Sequence, residues 1–292
     1  MTGRNLRMAQ RIGRAPVAYP FSFAFAGDSG AWPDPTADAI FAQLVRQVAA
    51  LDPAPLFFAN LGDFAGPGTP ERHARYLELV APLTVPNVCA IGNHDLDDAQ
   101  GPAAWEAVHG VRDFTFAHGH TRFVVLDAAP GEVGRIAVDT PEGVTGPRAE
   151  ALAFLDRTLA AAPEPHRVVL MHIPPRLGGH YAPHPEWGFD VGESDFLALV
   201  ERHRVALVCC AHGLAFDHHA HAGTRYVMSG GGGTGLCSHL HGICSEGSGH
   251  PEDRGALFHF VQIVVEADGA MHGRVHQAFA PPDASPRITF RV

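Results

Sequence analysis

Five short apolar runs, each closing on a side chain able to ligate a metal, constrain this chain more than any other feature. The first runs from Phe21 through Gly27 to Asp28, the second from Leu56 through Gly62 to Asp63, and the third from Pro86 through Gly92 to Asn93. The fourth is Val168–Met171 with His172, and the fifth Val205–Ala211 with His212. Short apolar runs bounded by turn residues read as buried strands. Gly92 lets the backbone turn sharply, so Asn93 and His94 project from a strand's carboxyl end, where open α/β sheets build their sites. Scattered ligands would not respect strand ends five times; a metal cluster on the rim of a sheet requires it.

Helical patterns separate the runs. Ile40, Phe41, Leu44, Val45 and Val48 predict a helix from about Thr36, as N-cap, to Leu51, and Thr69-Pro70-Glu71 opens a second toward Leu83. Gly146-Pro147 starts a third, with Leu152, Leu155 and Leu159 on one face, and a fourth lies near Ser194 to His203. Beyond it the chain turns to β, with apolar segments at Tyr226–Met228, Leu257–Glu266 and Ala270–Phe279. Asp268-Gly269 is a two-residue hairpin signal between the last two.

The ordered set of GDSG at 27–30, GD at 62–63, GNHD at 92–95, His172 and His212 resembles the calcineurin-like metallophosphoesterase superfamily, and GDSG looks most like its purple acid phosphatase branch. Phe123–Asp127 and Tyr226–Gly231 are similar to the family's mid-chain strand and its late strand with glycine turn. The resemblance implies an α/β fold, the four-layer α/β/β/α metallophosphoesterase sandwich. It also implies hydrolysis of a phosphomonoester or phosphodiester by metal-activated water. Carried over, Asp63 bridges two metals, while Asn93, His172 and His212 complete the second-metal pocket; one carboxylate, one amide oxygen and two imidazoles suit Mn, Fe, Zn or Co. His94 becomes the acid toward the leaving group, and Asp95 orients or charges it.

The first-metal pocket departs from the pattern. The histidine of a DxH motif is Gly30 here, the purple acid branch's tyrosine is Gly66, and the second histidine of GHxH is Leu214. Only Asp28 and Asp63 remain, so one tight metal is expected, with the other site weak or rebuilt, and no phenolate colour. Ligands for a rebuilt site exist nearby in sequence: His218, His219 and His221, and Cys237, His239, His241 and Cys244. In the long loop after His172, His180 and His184 resemble the branch's substrate-facing histidines, and Arg176 is a candidate for a phosphate oxygen. Two rivals use the same scaffold. One is a single-metal enzyme of different chemistry, with redox-active iron; the other is a non-catalytic binding protein.

At 292 residues and 46% hydrophobic content the chain reads as one domain over 21–292 behind an N-terminal extension at 1–20. Net charge is −10 and the basic residues, all arginine, form no run, so neither nucleic acid nor a membrane surface is indicated as partner. The resemblance implies a small phosphate ester as substrate instead. No signal-peptide core and no 18-residue apolar span occur, so a cytoplasmic protein is expected. Five cysteines, two of them adjacent in a core strand, read as reduced.

Overall fold

The computed structural model describes residues 3–129, 146–177, 188–193, 195–236, 257–281 and 284–292. The elements follow in the order α1 (Arg4–Arg14), β1 (Phe21–Ala26), α2 (Pro35–Ala49), β2 (Phe58–Asn60), α3 (Pro70–Val80), β3 (Asn87–Cys89), α4 (Gly101–Val108), β4 (Phe114–His118), β5 (Thr121–Val125), α5 (Ala149–Ala161), β6 (His166–Leu170), α6 (Phe196–Arg202), β7 (Leu207–Cys210), β8 (Phe216–His221), β9 (Thr224–Ser229), β10 (His259–Val265), β11 (Met271–Gln277) and β12 (Ile288–Arg291).

Among the described residues two six-stranded sheets form, in the orders β12-β11-β10-β1-β2-β3 and β4-β5-β6-β7-β9-β8. Strands β1, β2 and β3 are mutually parallel, and so are β5, β6, β7 and β9. Antiparallel strands flank each parallel block. The strand period of two sorts the side chains. Phe23 and Phe25 point between the sheets, where they meet Phe57, Phe123, Val168 and Leu207. Ala24 and Ala26 point the other way, onto Ile40, Phe41, Leu44 and Val45 of α2. Val169, Met171 and Val208 of the second sheet likewise cover Leu155, Leu159 and Phe196 of α5 and α6. Three apolar layers between four layers of structure make the α/β/β/α sandwich.

Helix α2 begins two residues earlier than the pattern predicts. Asp34, not Thr36, is the cap, its carboxylate accepting the Thr36 N–H at 2.8 Å, and Pro35 takes the first helical position, where a missing N–H is harmless. Helix α3 starts as predicted, with Thr69 as cap.

Helix α1, inside the stretch read as an extension, was not signalled by any apolar run. Its buried side is only Asn5, Ala9 and Ile12. Ala9 and Ile12 join the core between the sheets, and the Asn5 amide both donates to the Cys89 carbonyl (2.9 Å) and accepts the Cys89 N–H (3.0 Å). That exchange satisfies the outer edge of β3 as another strand would. Cys89, Cys209 and Cys210 are free and buried. Among the described residues no helix is long and apolar enough to cross a membrane.

Candidate metal centre

The carboxyl ends of the parallel blocks face one rim, which brings Asp63 from β2 together with His172 after β6 and His212 after β7. One ligand atom from each lies within 4.8 Å of the others, and all three residues are buried. Asp28, Asp63 and His212 adopt left-handed backbone, with φ of 58°, 56° and 71°. Such conformations are unfavourable for residues with a Cβ and collect where a site dictates the geometry.

His172 shows what the site can hold. Its Nδ1 lies 2.7 Å from the Leu61 carbonyl, which only accepts, so Nδ1 carries the hydrogen. Nε2 then presents a lone pair in the neutral ring, yet it faces Asn93 Oδ1 at 3.1 Å, Asp63 Oδ2 at 3.2 Å and His212 Nδ1 at 3.3 Å. Ligand atoms bound to one ion at about 2.0–2.2 Å stand roughly 3 to 3.5 Å apart. The donor set therefore fits a divalent transition metal. Without one, a proton takes its place: burial opposes charge on His172, but the carboxylate of Asp63 outweighs it and raises the imidazole to about 9. Burial likewise works against charge on Asp63, and the His172 and His94 rings outweigh it and hold the carboxyl below its usual range.

His94 lies on the turn His94–Leu96, its N–H donating to Asp63 Oδ1 (2.9 Å) and its Nδ1 2.6 Å from Asp97 Oδ2. Burial disfavours its charge, but Asp63 and Asp97 raise the imidazole to about 9. The side chain that orients His94 is thus Asp97, whereas the sequence reading assigned that task to Asp95. Asp95 points away and accepts four backbone N–H groups, those of Asp63, Phe64, Ala65 and Gly92, at 2.8–3.0 Å. It ties the loop after β2 to the loop after β3. The spacing from His94 to Asp97, three residues along a helical turn, was the available signal.

The first-metal side is closed by backbone. Gly30 N–H donates to the Asp63 carbonyl and Gly66 N–H to the Gly30 carbonyl, both at 2.9 Å. A Cβ at Gly30 would lie 2.7 Å from the Phe64 carbonyl oxygen, and one at Gly66 would collide with that of Ala31. The family's ligands are not merely absent at these two positions; no side chain fits there. Asp28 turns its Oδ2 to the His212 N–H at 2.7 Å, and burial, opposed by His172 and reinforced by Asp63, raises its carboxyl to about 8. Among the described residues no other cluster has metal-binding geometry. His218 stacks on Phe290, His219 stacks on Tyr226 and His221 lies 3.7 Å from Glu201, and none of the three belongs to the metal-binding group found among the described residues. Cys237, His239, His241 and Cys244 lie outside the described residues, as do His180 and His184. Arg176 pairs with Asp190 at 2.9 Å, and its Nη1 is buried with no hydrogen-bond partner among the described residues.

Trp32 went unremarked in the sequence. It is 47% exposed, and its ring centre lies 5.0 Å from that of His94.

Two sheets packed face to face between helices, with ligands from both at a common rim, define the metallophosphoesterase class of sandwich. The chain belongs to the calcineurin-like phosphoesterase family, whose sequence model matches residues 21–215. Comparison with curated protein sequences finds no match. Among solved structures, the purple acid phosphatase PPD1 from yellow lupin (Lupinus luteus) seeds superposes with a TM-score of 0.66 at 16% identity, over 94% of this chain and 54% of that one. The chain thus spans about half the length of the lupin protein. GAP50, the anchor in the inner membrane complex of Plasmodium, superposes with a TM-score of 0.62 at 12% identity, over 93% and 88% of the two chains.

Proposed function

We propose that the protein hydrolyses a small phosphomonoester or phosphodiester at a centre held by Asp63, Asn93, His172 and His212. The observation that carries this reading is the convergence of four potential ligand atoms, with His172 Nε2 3.1 Å from Asn93 Oδ1, 3.2 Å from Asp63 Oδ2 and 3.3 Å from His212 Nδ1, the spacing of atoms around one cation. A divalent ion of Mn, Fe or Zn supplies Lewis acidity toward phosphate and a lowered pKa for water. His94, fixed through Nδ1 by Asp97, offers Nε2 to the leaving group. The oxygen of water joins phosphorus as that water gives one proton to solvent, the bond from phosphorus to the leaving oxygen breaks, and the leaving oxygen takes the proton from His94 Nε2, which solvent then restores. Asp95 acts one step back by keeping Asp63 and Asn93 in register.

The test is turnover of p-nitrophenyl phosphate and bis(p-nitrophenyl) phosphate by protein supplied with Mn²⁺. Chelation abolishes it and added Mn²⁺ restores it. A protein that binds one ion by mass spectrometry and hydrolyses neither ester overturns the reading. The closed first pocket would then favour single-metal chemistry of another kind, the second reading for this scaffold.

A further inference from the structure

We propose that Trp32 is a stacking platform for the leaving group, which makes the preferred substrates phosphate esters whose leaving group carries a planar aromatic ring. This rests on the hydrolase reading above and names its substrate class.

Trp32 is held by a loop with little freedom. On its amino side, Ala31 N–H donates to Thr234 Oγ1 at 3.1 Å and Gly30 is bonded to both the Asp63 and Gly66 backbones. On its carboxyl side stand Pro33, the helix cap Asp34 and Pro35. A tryptophan so constrained would be expected to bury its ring, yet nearly half its surface meets solvent. Large aromatics left exposed on a rigid support are the residues that bind other flat groups, because little entropy is lost on contact.

Its position decides which part of a substrate it meets. His94 must lie against the leaving oxygen to protonate it, and among the described residues the indole is the aromatic ring in contact with His94, tilted 53° to it rather than stacked on it. The two rings are thus not stacked flat on one another, and nearly half of the Trp32 surface stays open to solvent. A leaving group whose oxygen reaches His94 continues along Trp32, and a ring there can lie on the indole. Aryl phosphates and nucleoside monophosphates share this chemistry; an alkyl phosphate lacks it.

Trp32→Ala and Trp32→Phe test it, with Phe279→Ala as the control, since Phe279 is also a large exposed aromatic, at 64%, and follows β11 in the antiparallel part of its sheet. KM and kcat are measured on p-nitrophenyl phosphate, adenosine 5′-monophosphate and β-glycerophosphate. Trp32→Ala is expected to raise KM for the ring-bearing esters at least about tenfold more than for β-glycerophosphate, the scale of one aromatic stack, and Trp32→Phe to recover most of that loss. A larger effect on the nucleotide than on the aryl ester marks the nucleoside as the preferred source of the ring, and the reverse marks the aryl group. A KM change equal across all three esters, or matched by Phe279→Ala, overturns the proposal. Binding provides a second readout that needs no turnover: adenosine 5′-monophosphate should quench the tryptophan fluorescence of the wild type and not that of Trp32→Phe. If no ester is hydrolysed but this quenching is present and lost in the variant, the platform stands and the hydrolase reading falls. If neither protein is quenched, the platform falls by itself.

Discussion

His94 and Asp95 are neighbours in sequence with opposite duties, and single substitutions separate them. His94→Ala removes the proton donor but leaves the four proposed ligands untouched, so kcat should fall about 10²- to 10⁴-fold, the range for a general acid, with metal content and melting temperature near those of the wild type. Full activity would exclude His94 from the reaction. Asp95→Ala strands four buried N–H groups, each costing about 1–3 kcal/mol when unpaired. Allowing for relaxation, denaturant unfolding should show a loss on the order of 3 kcal/mol or more. A stability change under about 1 kcal/mol would show that the loops hold without it.

At the scale of elements, the loops after β1 and β2 bear on how many ions the proposed centre holds. They close on each other through Gly30 and Gly66, so the unmodified protein should carry one tightly held ion per chain by elemental mass spectrometry. Gly30→His, which puts a Cβ against the Phe64 carbonyl, should destabilise the protein without adding an ion. Leu214→His differs, because Leu214 already has the left-handed backbone of the turn after β7 and its backbone lies close to Gly230, beside Asp28. It should strengthen binding of a second ion. Two stoichiometric ions in the wild type would mean that the pocket is rebuilt from other residues.

For the whole molecule, the contact between sheets includes a histidine that must stay neutral. His259, at the start of β10, is fully buried, with Nδ1 2.8 Å from the Leu257 carbonyl and Nε2 3.0 Å from Ser229 Oγ at the end of β9. Burial lowers its imidazole to about 4. Between about 6.5 and about 4 the unfolded chain takes up a proton at this position that the folded chain refuses, so its contribution is whole above about 6.5 and is lost as pH falls toward 4. The stability difference between wild type and His259→Gln should therefore shrink by roughly 3 kcal/mol over that interval, at about 1.4 kcal/mol per pH unit. Taking the difference cancels the buried carboxyls common to both proteins. A gap that does not change with pH would mean the ring is charged or solvated in the fold.

The parallel strands and the helices that cover the sheets were legible because each is a local pattern. Phe21–Ala26 and Val168–Leu170 are apolar runs, α2 carries helical spacing, and Thr69 with Pro70 marks the start of α3. The proposed ligands Asp63, Asn93, His172 and His212 were legible for the same reason, since a strand end is visible in one dimension. Other features depend on atoms distant in sequence. Helix α1 has only three buried residues and is fixed by β3, 84 residues away through Asn5 and Cys89. The polar strand β8, Phe216–His221, takes its form from pairing with β9 rather than from any apolar run. Asp97 is chosen over Asp95 because the carboxylate of Asp95 is already committed to the loop after β2, a choice no spacing rule reveals. The sequence determined which chemical groups stand at the strand ends; the tertiary structure decided which of them converge, because hydrogen-bond partners are allotted by position in space and each carboxylate has few to give.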